Sequence, residues 1–227
     1  MKTYHLDKKI SALIFDMDLT LYSHEEYGRS QIDRLIEKLS ERQGLSFAEM
    51  RDEIEAYRKD WAASHHDRQL SLSAVLAAWG VSMEENIRWR EETYQPERYL
   101  HPDPRLRNAL EGLSASYALA VVTNNVVSIA RRTLAVLGVG HCFRGIVGLD
   151  TCGAAKPHRE PFLEAARMLG APPEACVSIG DRYDMDLRTA LELGMGGILV
   201  DGVEDVYRLW EERGSAAFFI RAEGFNT

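Results

Sequence analysis

Several common signatures are missing from this sequence, and each absence narrows the reading. Only three cysteines occur in 227 residues, Cys142, Cys152 and Cys176, and no two of them stand in CxxC spacing. That excludes a disulfide framework and a thiolate metal site, and fits free thiols in a reducing compartment. No run of Lys or Arg forms a basic stripe, and the formal net charge is −8. A nucleic-acid partner is therefore not expected. The longest apolar runs, such as Ala118 to Val122, fall far short of the roughly 20 residues a membrane span needs. The N-terminal apolar stretch, Ala12 to Phe15, is too short for a signal peptide and ends at an aspartate. Repeats and low-complexity tracts are also lacking. What remains is a cytoplasmic chain with 45% hydrophobic residues, enough to bury a core as one large domain or as one domain plus an insertion.

The residues that are present fall into two textures. In the first, short apolar runs alternate with amphipathic helical patterns. Ser11–Phe15, Tyr117–Val122, Gly145–Val147, Cys176–Ile179 and Gly197–Val200 read as strands, and Ala216–Ile220 as a last edge strand. Phe162, Ala165, Ala166 and Leu169 keep helical spacing, and so do Val203, Val206, Tyr207 and Trp210. The alternation predicts an α/β fold, a parallel sheet with helices on both faces and ligands at the carboxyl ends of its strands. Residues 21–100 hold no strand-like run. Three stripes predict helices there: Ile32, Leu35, Ile36, Leu39; Met50, Ile54, Tyr57, Trp61; and Leu72, Val75, Leu76, Trp79, with Trp61 and Trp79 in the core. A fourth runs from about Met83 to Tyr94, and Pro96 to Pro104 reads as a return hinge. The expected division is a sheet domain from residues 1–20 and 101–227, with a helical domain, 21–100, inserted after the first strand.

Four predicted strand ends carry candidate chemistry. The first ends in Asp16-Met17-Asp18-Leu19-Thr20. Two carboxylates two residues apart can face one crevice, and a buried carboxylate needs a partner or a metal. The second ends in Thr123-Asn124-Asn125, where a hydroxyl and a helix N-terminus suit a phosphate, or where Thr or Asn simply caps the helix. Lys156-Pro157 comes next; a lysine at such an edge is either solvated or balances carboxylate and phosphate charge. Last is Gly180-Asp181-Arg182-Tyr183-Asp184-Met185-Asp186, whose three aspartates suit a hard cation such as magnesium.

Taken in order, DxDxT, a strand-end Thr, Lys-Pro and GDxxxxD resemble the haloacid dehalogenase-like hydrolase superfamily over the whole sheet-forming part. The resemblance implies a Rossmann-like core and makes residues 21–100 an α-helical cap domain. It implies Asp16 as the nucleophile that becomes phosphorylated and Asp18 as the general acid and base. Thr123, with Asn124 beside it, and Lys156 would bind the transferring phosphoryl group, Lys156 also holding the nucleophile. Asp16, Asp181, Asp186 and the backbone carbonyl of Asp18 would hold Mg2+, with Asp186 preferred to Asp184 because the distance to Gly194 favours the longer spacing. Leu19 departs from the Gly or Asn common in the family, and is expected to turn with φ negative. The expected reaction is hydrolysis of a small phosphate monoester, a nucleotide 5'-phosphate or phosphoglycolate-like metabolite, by a monomer or homodimer. A phosphomutase and a non-catalytic binding protein are the alternatives; Asp18 argues against a haloacid dehalogenase. Tyr22, His24, Tyr27 and Arg29 follow the catalytic loop and either reach substrate or pack. Arg182 either pairs with an aspartate or touches substrate. His65-His66-Asp67 reads as a solvated loop, since adjacent helical side chains diverge by about 100°.

Overall fold

The computed structural model describes residues 1–65 and 70–211. His66, Asp67 and the strand expected at Ala216–Ile220 lie outside the described residues. Two compact units divide the chain, one from Met1–His24 with Leu100–Thr227 and the other from Glu25–Tyr99. The break falls four residues later than the expected one after residue 20. Two contacts keep that segment with the sheet unit: the Tyr22 hydroxyl donates to Asp18, and the Ser23 hydroxyl accepts from the Val203 N–H at 3.2 Å.

The second unit is helical: α1 (Glu25–Gln43), α2 (Phe47–Ser64), α3 (Leu72–Ala78) and α4 (Met83–Thr93). Ser46, Ser71 and Ser82 cap α2, α3 and α4 by accepting the N–H three residues on, and Glu49 returns a bond to Ser46 in a capping box. The buried face of α1 is Tyr27, Gln31, Leu35 and Leu39, while Ile32 is 45% exposed. Trp61 and Trp79, expected in the core, are only half-buried. Each instead meets an aromatic neighbour: Trp61 stacks on the His65 ring at 4.0 Å and Trp79 sits edge-on to Tyr57 at 5.0 Å. Met50 and Ile54 alone carry α2's burial, because a stripe counts apolar residues without knowing where the helix outruns its partner.

The sheet unit contributes β1 (Lys2–Tyr4), β2 (Ala12–Phe15), β3 (Ala118–Val122), β4 (Gly145–Val147), β5 (Cys176–Gly180) and β6 (Gly196–Leu199), with α5 (Pro104–Ser114), α6 (Val127–Leu137), α7 (Glu160–Leu169), α8 (Arg188–Glu192) and α9 (Val203–Glu211). The order across the sheet is β1-β6-β5-β2-β3-β4, parallel except for β1 against β6. The strands predicted within the described residues are all present, shifted at most by a residue. Ala12 to Phe15 are at most 1% exposed on both faces, as a central strand covered from both sides requires. β1 is not predicted by the sequence pattern; Lys2-Thr3-Tyr4 is short, polar and largely exposed, and becomes a strand only by pairing with the apolar β6.

α5 is likewise unforeseen and begins at the last residue of the Pro-rich hinge. Pro104 opens it at the position where a missing N–H costs nothing, and the Asp103 carboxylate accepts from the Arg105 and Leu106 N–H groups at 3.0 and 2.9 Å. α5 lies against α9 so closely that a Cβ on Gly112 would come within 2.3 Å of the Trp210 ring. Gly112→Ala is therefore expected to lower stability by about 1–3 kcal/mol through overpacking. Gly28→Ala, inside α1 with nothing within 4 Å of the added methyl, is expected to raise it by about 0.5–1 kcal/mol. Urea unfolding midpoints of the two variants should move in opposite directions.

Candidate active site

β2 delivers the first carboxylate. Its central place fixes the position: Phe15 is in register with Val121 of β3 and Ile179 of β5, and the Asp16 N–H still donates to the Ile179 carbonyl at 2.8 Å. Beyond it the chain turns tightly, with the Thr20 and Leu21 N–H groups both donating to the Met17 carbonyl. Asp16 and Met17 are buried and Asp18 is half-buried. Leu19 takes φ +62°, not the negative value expected of it. Leu19 sits inside the turn that the Thr20 and Leu21 bonds to the Met17 carbonyl close. A leucine there costs about 1–2 kcal/mol, which explains why Gly and Asn suit the position.

The charged floor lies behind this loop. Lys156, with 1% of its side chain exposed, extends its ammonium between Asp16 Oδ1 at 2.5 Å and Asp186 Oδ1 at 2.6 Å. The Asn124 side chain fixes the lysine's backbone, donating to its carbonyl at 3.1 Å and accepting from its N–H at 2.7 Å. A bond from the Thr189 hydroxyl to the Pro157 carbonyl at 2.6 Å ties the same segment to α8. Asp186, not Asp184, enters this cluster; Asp184 pairs with Arg188 on the outer side. One turn of π-helix, Tyr183–Leu187, comes after β5 and rotates Asp186 back beneath the strand end. There its Oδ2 accepts from the Arg182 N–H at 2.9 Å and its carbonyl from the Ser178 hydroxyl at 2.7 Å. Gly180 makes room, since a Cβ at that position would lie 2.4 Å from that of Asp186.

Carboxylate oxygens of Asp16, Asp181 and Asp186 all lie within 4.8 Å of one another. Asp181 Oδ1 is buried and has no hydrogen-bond partner among the described residues. An orphaned, buried carboxylate oxygen facing two others fits a hard divalent cation. The electrostatics agree. Burial pushes the Asp16 carboxyl up to about 7, against the pull of Lys156, and Asp186, Asp18 and Asp181 push it further. Burial also raises Asp181, with Asp186 adding to it. Burial alone would lower Lys156, but Asp16 and Asp186 outweigh it and hold it high. One ammonium serves three carboxylates, leaving an excess of negative charge for a cation to neutralise.

Asp18 meets a different environment. Its Oδ1 accepts from the Tyr22 hydroxyl, and the Asn125 amide donates to both of its oxygens at 3.2 and 3.0 Å. The Thr123 hydroxyl lies 3.4 Å from Asp18 Oδ2 and accepts from the Asn125 N–H at 3.1 Å. Its carboxylate stands outside the three-carboxylate group, which leaves the backbone carbonyl as the atom it could offer a metal. Asp16, Asp18, Thr123, Lys156, Asp181 and Asp186 therefore come together at the carboxyl ends of β2, β3 and β5, whereas Asn124 is turned toward the Lys156 backbone. Sequence reasoning misses Asn125 as a site residue and leaves Tyr22 undecided between substrate and packing. A signal for Asn125 is available: past a strand end, residues two apart share a face, which puts Asn125 with Thr123 and Asn124 opposite.

An aspartate paired with a buried lysine, a second carboxylate two residues on, and three carboxylates gathered at the edge of a parallel sheet are the site of a hydrolase. The chain belongs to the haloacid dehalogenase-like hydrolases, whose family model matches residues 10–194, and it is a phosphoric monoester hydrolase of that superfamily. It is 34% identical over 194 residues to a glyceraldehyde 3-phosphate phosphatase of Methanopyrus kandleri, covering 82% of each chain. It is 35% identical over 100 residues to a phosphoglycolate phosphatase of Aquifex aeolicus, covering 44% of this chain and 46% of that one. A HAD phosphatase from Thermococcus onnurineus shares the fold, with a TM-score of 0.60 at 23% identity, over 84% of this chain and 86% of that one.

The charge excess has a measurable consequence in metal-free protein. An unfolded Asp16 would release its proton near pH 4, whereas the folded one keeps it to about 7. Its contribution to stability is thus present in full at low pH and is lost as the pH rises through 7. The thermal midpoint in chelator should fall between pH 5 and 8 more steeply in wild type than in Asp16→Asn. Lys156→Met should be destabilised throughout, by about 3–5 kcal/mol, as expected for a buried charge stripped of its partner.

Proposed function

We propose that the chain hydrolyses a small-molecule phosphate monoester through an aspartyl phosphate on Asp16. The observation that carries this reading is the contrast between two carboxylates two residues apart. Asp16 is buried against Lys156, while Asp18 is half-buried and accepts from the Tyr22 hydroxyl and the Asn125 amide. Lys156 positions Asp16 and offsets the repulsion between a carboxylate and a phosphate dianion. A carboxylate oxygen of Asp16 forms a bond to phosphorus as the ester oxygen leaves, and Asp18 gives that oxygen its proton. Asp18 then takes a proton from water as the water attacks phosphorus, which releases inorganic phosphate and restores Asp16. Asp16, Asp181, Asp186 and the Asp18 carbonyl would hold magnesium, which supplies further charge neutralisation at the transferring group. Thr123 would contact a phosphoryl oxygen from the end of β3.

Of the relatives matching over most of the chain, three are named for glyceraldehyde 3-phosphate, one for phosphoserine and one as a pyrophosphatase, and a partial match is named for phosphoglycolate. These names support a phosphorylated metabolite of two or three carbons ahead of a nucleotide. The insertion of the helical unit directly after the catalytic loop supports its role as the cap that selects substrate. Two measurements test the reading. Activity should vanish in excess chelator and return with magnesium; full activity without metal would reject the cation site. Asp16→Asn should form no phosphoenzyme, whereas Asp18→Asn should release one equivalent of nitrophenol from p-nitrophenyl phosphate and then stall. Nitrophenol needs no proton to leave, but water still needs a base, whose loss costs about 10²- to 10⁴-fold. Steady turnover by Asp18→Asn would remove Asp18 as the base, and phosphate transferred to a second ester instead of to water would indicate a phosphomutase.

A further inference from the structure

Lys156 stands in the irregular segment between β4, which ends at Val147, and α7, which begins at Glu160. No strand or helix fixes its backbone. Its N–H and carbonyl are instead both met by one side chain: Asn124 Oδ1 accepts from the first at 2.7 Å, and Asn124 Nδ2 donates to the second at 3.1 Å. Among the described residues no other group bonds to either atom. A primary amide carries the same donor and acceptor as a backbone peptide, so Asn124 serves Lys156 as a paired residue on a neighbouring strand would. Asn124 leaves directly from the sheet. The Thr123 N–H before it donates to the Val147 carbonyl at 2.9 Å, which continues the ladder of β3 and β4. β3 in turn runs in register with β2, Val121 beside Phe15.

These links close a ring. Asp16 follows β2, Asn124 follows β3 and holds the Lys156 backbone, and the Lys156 ammonium returns to Asp16 Oδ1 at 2.5 Å, with Asp186 Oδ1 at 2.6 Å. A lysine head sits on a flexible four-carbon stem, so its place depends on where its backbone is held. Without Asn124, the N–H and carbonyl of a buried residue would lose their partners, and the segment would have to shift to find others. A misplacement of about 1 Å at reacting groups can cost about 10²-fold in rate. Resting on the reading of Asp16 as the nucleophile, we propose that Asn124 is a positioning residue: it fixes the Lys156 backbone so that the ammonium meets Asp16, and does not itself touch substrate. The sheet, and not the irregular segment, then sets the distance between the nucleophile and its counter-charge. An aspartate could not take this place, because its second oxygen would face the Lys156 carbonyl as acceptor against acceptor.

The test uses magnesium-loaded Asn124→Ala and Asn124→Asp with p-nitrophenyl phosphate. Both variants should lose about tenfold or more in kcat, with KM within about threefold of wild type. The step affected is read in the Asp18→Asn background, where nitrophenol release reports phosphoryl transfer to Asp16 alone. Adding Asn124→Ala should slow that burst about tenfold or more and leave its amplitude at one equivalent. A crystal structure of Asn124→Ala should show the Lys156 ammonium displaced from Asp16. A loss confined to KM overturns the proposal, because Asn124 would then bind substrate directly. A burst reduced in amplitude at unchanged rate also overturns it, since that marks only a loss of folded protein. So does a Lys156 ammonium still within hydrogen-bond distance of both Asp16 and Asp186 in the variant. Failure of wild type to hydrolyse any phosphate ester, or to form a phosphoenzyme on Asp16, would instead reject the reading on which the proposal rests.

Discussion

A fully buried lysine shared by two buried aspartates holds this site together. Taking one ammonium and one carboxylate out of water costs several kcal/mol each, recovered only when geometry and further hydrogen bonds are good. Here the lysine is over-matched, because Asp16 and Asp186 both claim it and Asp181 stands close behind. Such an arrangement is a poor device for stability and a good one for receiving charge. The negative excess suits a divalent cation, which would in turn make room for a phosphate dianion beside a carboxylate. The ammonium holds Asp16 in place whether or not either arrives.

The fold supplies this arrangement through parallel register. With β2 central and flanked by β3 and β5, three chain segments distant in sequence end within one crevice. The three strands continue in different ways. After β2 comes a tight turn in which Leu19 is left-handed. After β3, Thr123 and Asn125 face Asp18 while Asn124 turns aside to grip the Lys156 backbone. After β5, a π-helical turn carries Asp186 back under the strand that launched it, with Gly180 too small to obstruct it. The strained and irregular backbone is concentrated at these three ends, where function and not folding dictates the conformation.

Parallel strands buried on both faces are nearly continuous apolar runs, so β2 to β6 are legible in the sequence within about a residue. The acidic and basic residues closing them are legible for the same reason, as polar groups placed where an apolar run stops. β1 is not, because its only claim to strand structure is a partner 195 residues away. The helical unit is legible in its number of helices but not in its faces. Leu35, Ile36 and Leu39 of α1 and Met50 and Ile54 of α2 are buried as their stripes predict, but Ile32 is exposed, Trp61 is half-buried, and Tyr27, Gln31 and Ser40 join the buried face of α1. Adjacency to Thr123 points to Asn124, although strand periodicity favours the second asparagine. The role of Tyr22 stays hidden because its bond to Asp18 depends on a turn whose left-handed residue a leucine does not announce.

In the proposed mechanism, environment and not residue type divides the labour between two aspartates on one loop. Asp16 is bound by a charged donor in a buried place, which fixes its position and keeps its carboxylate adjacent to compensating charge. Asp18 accepts instead from the Tyr22 hydroxyl and the Asn125 amide, with the Thr123 hydroxyl 3.4 Å away. These contacts orient its carboxylate toward the end of β3. The alternation of the chain makes the separation possible, because Met17 between them is buried away from the crevice and both carboxylates face it two residues apart. Under the proposed mechanism a nucleophile and an acid–base group arise from identical side chains, distinguished by which loop supplies their partners: the Lys156 segment for one, the end of β3 and Tyr22 for the other.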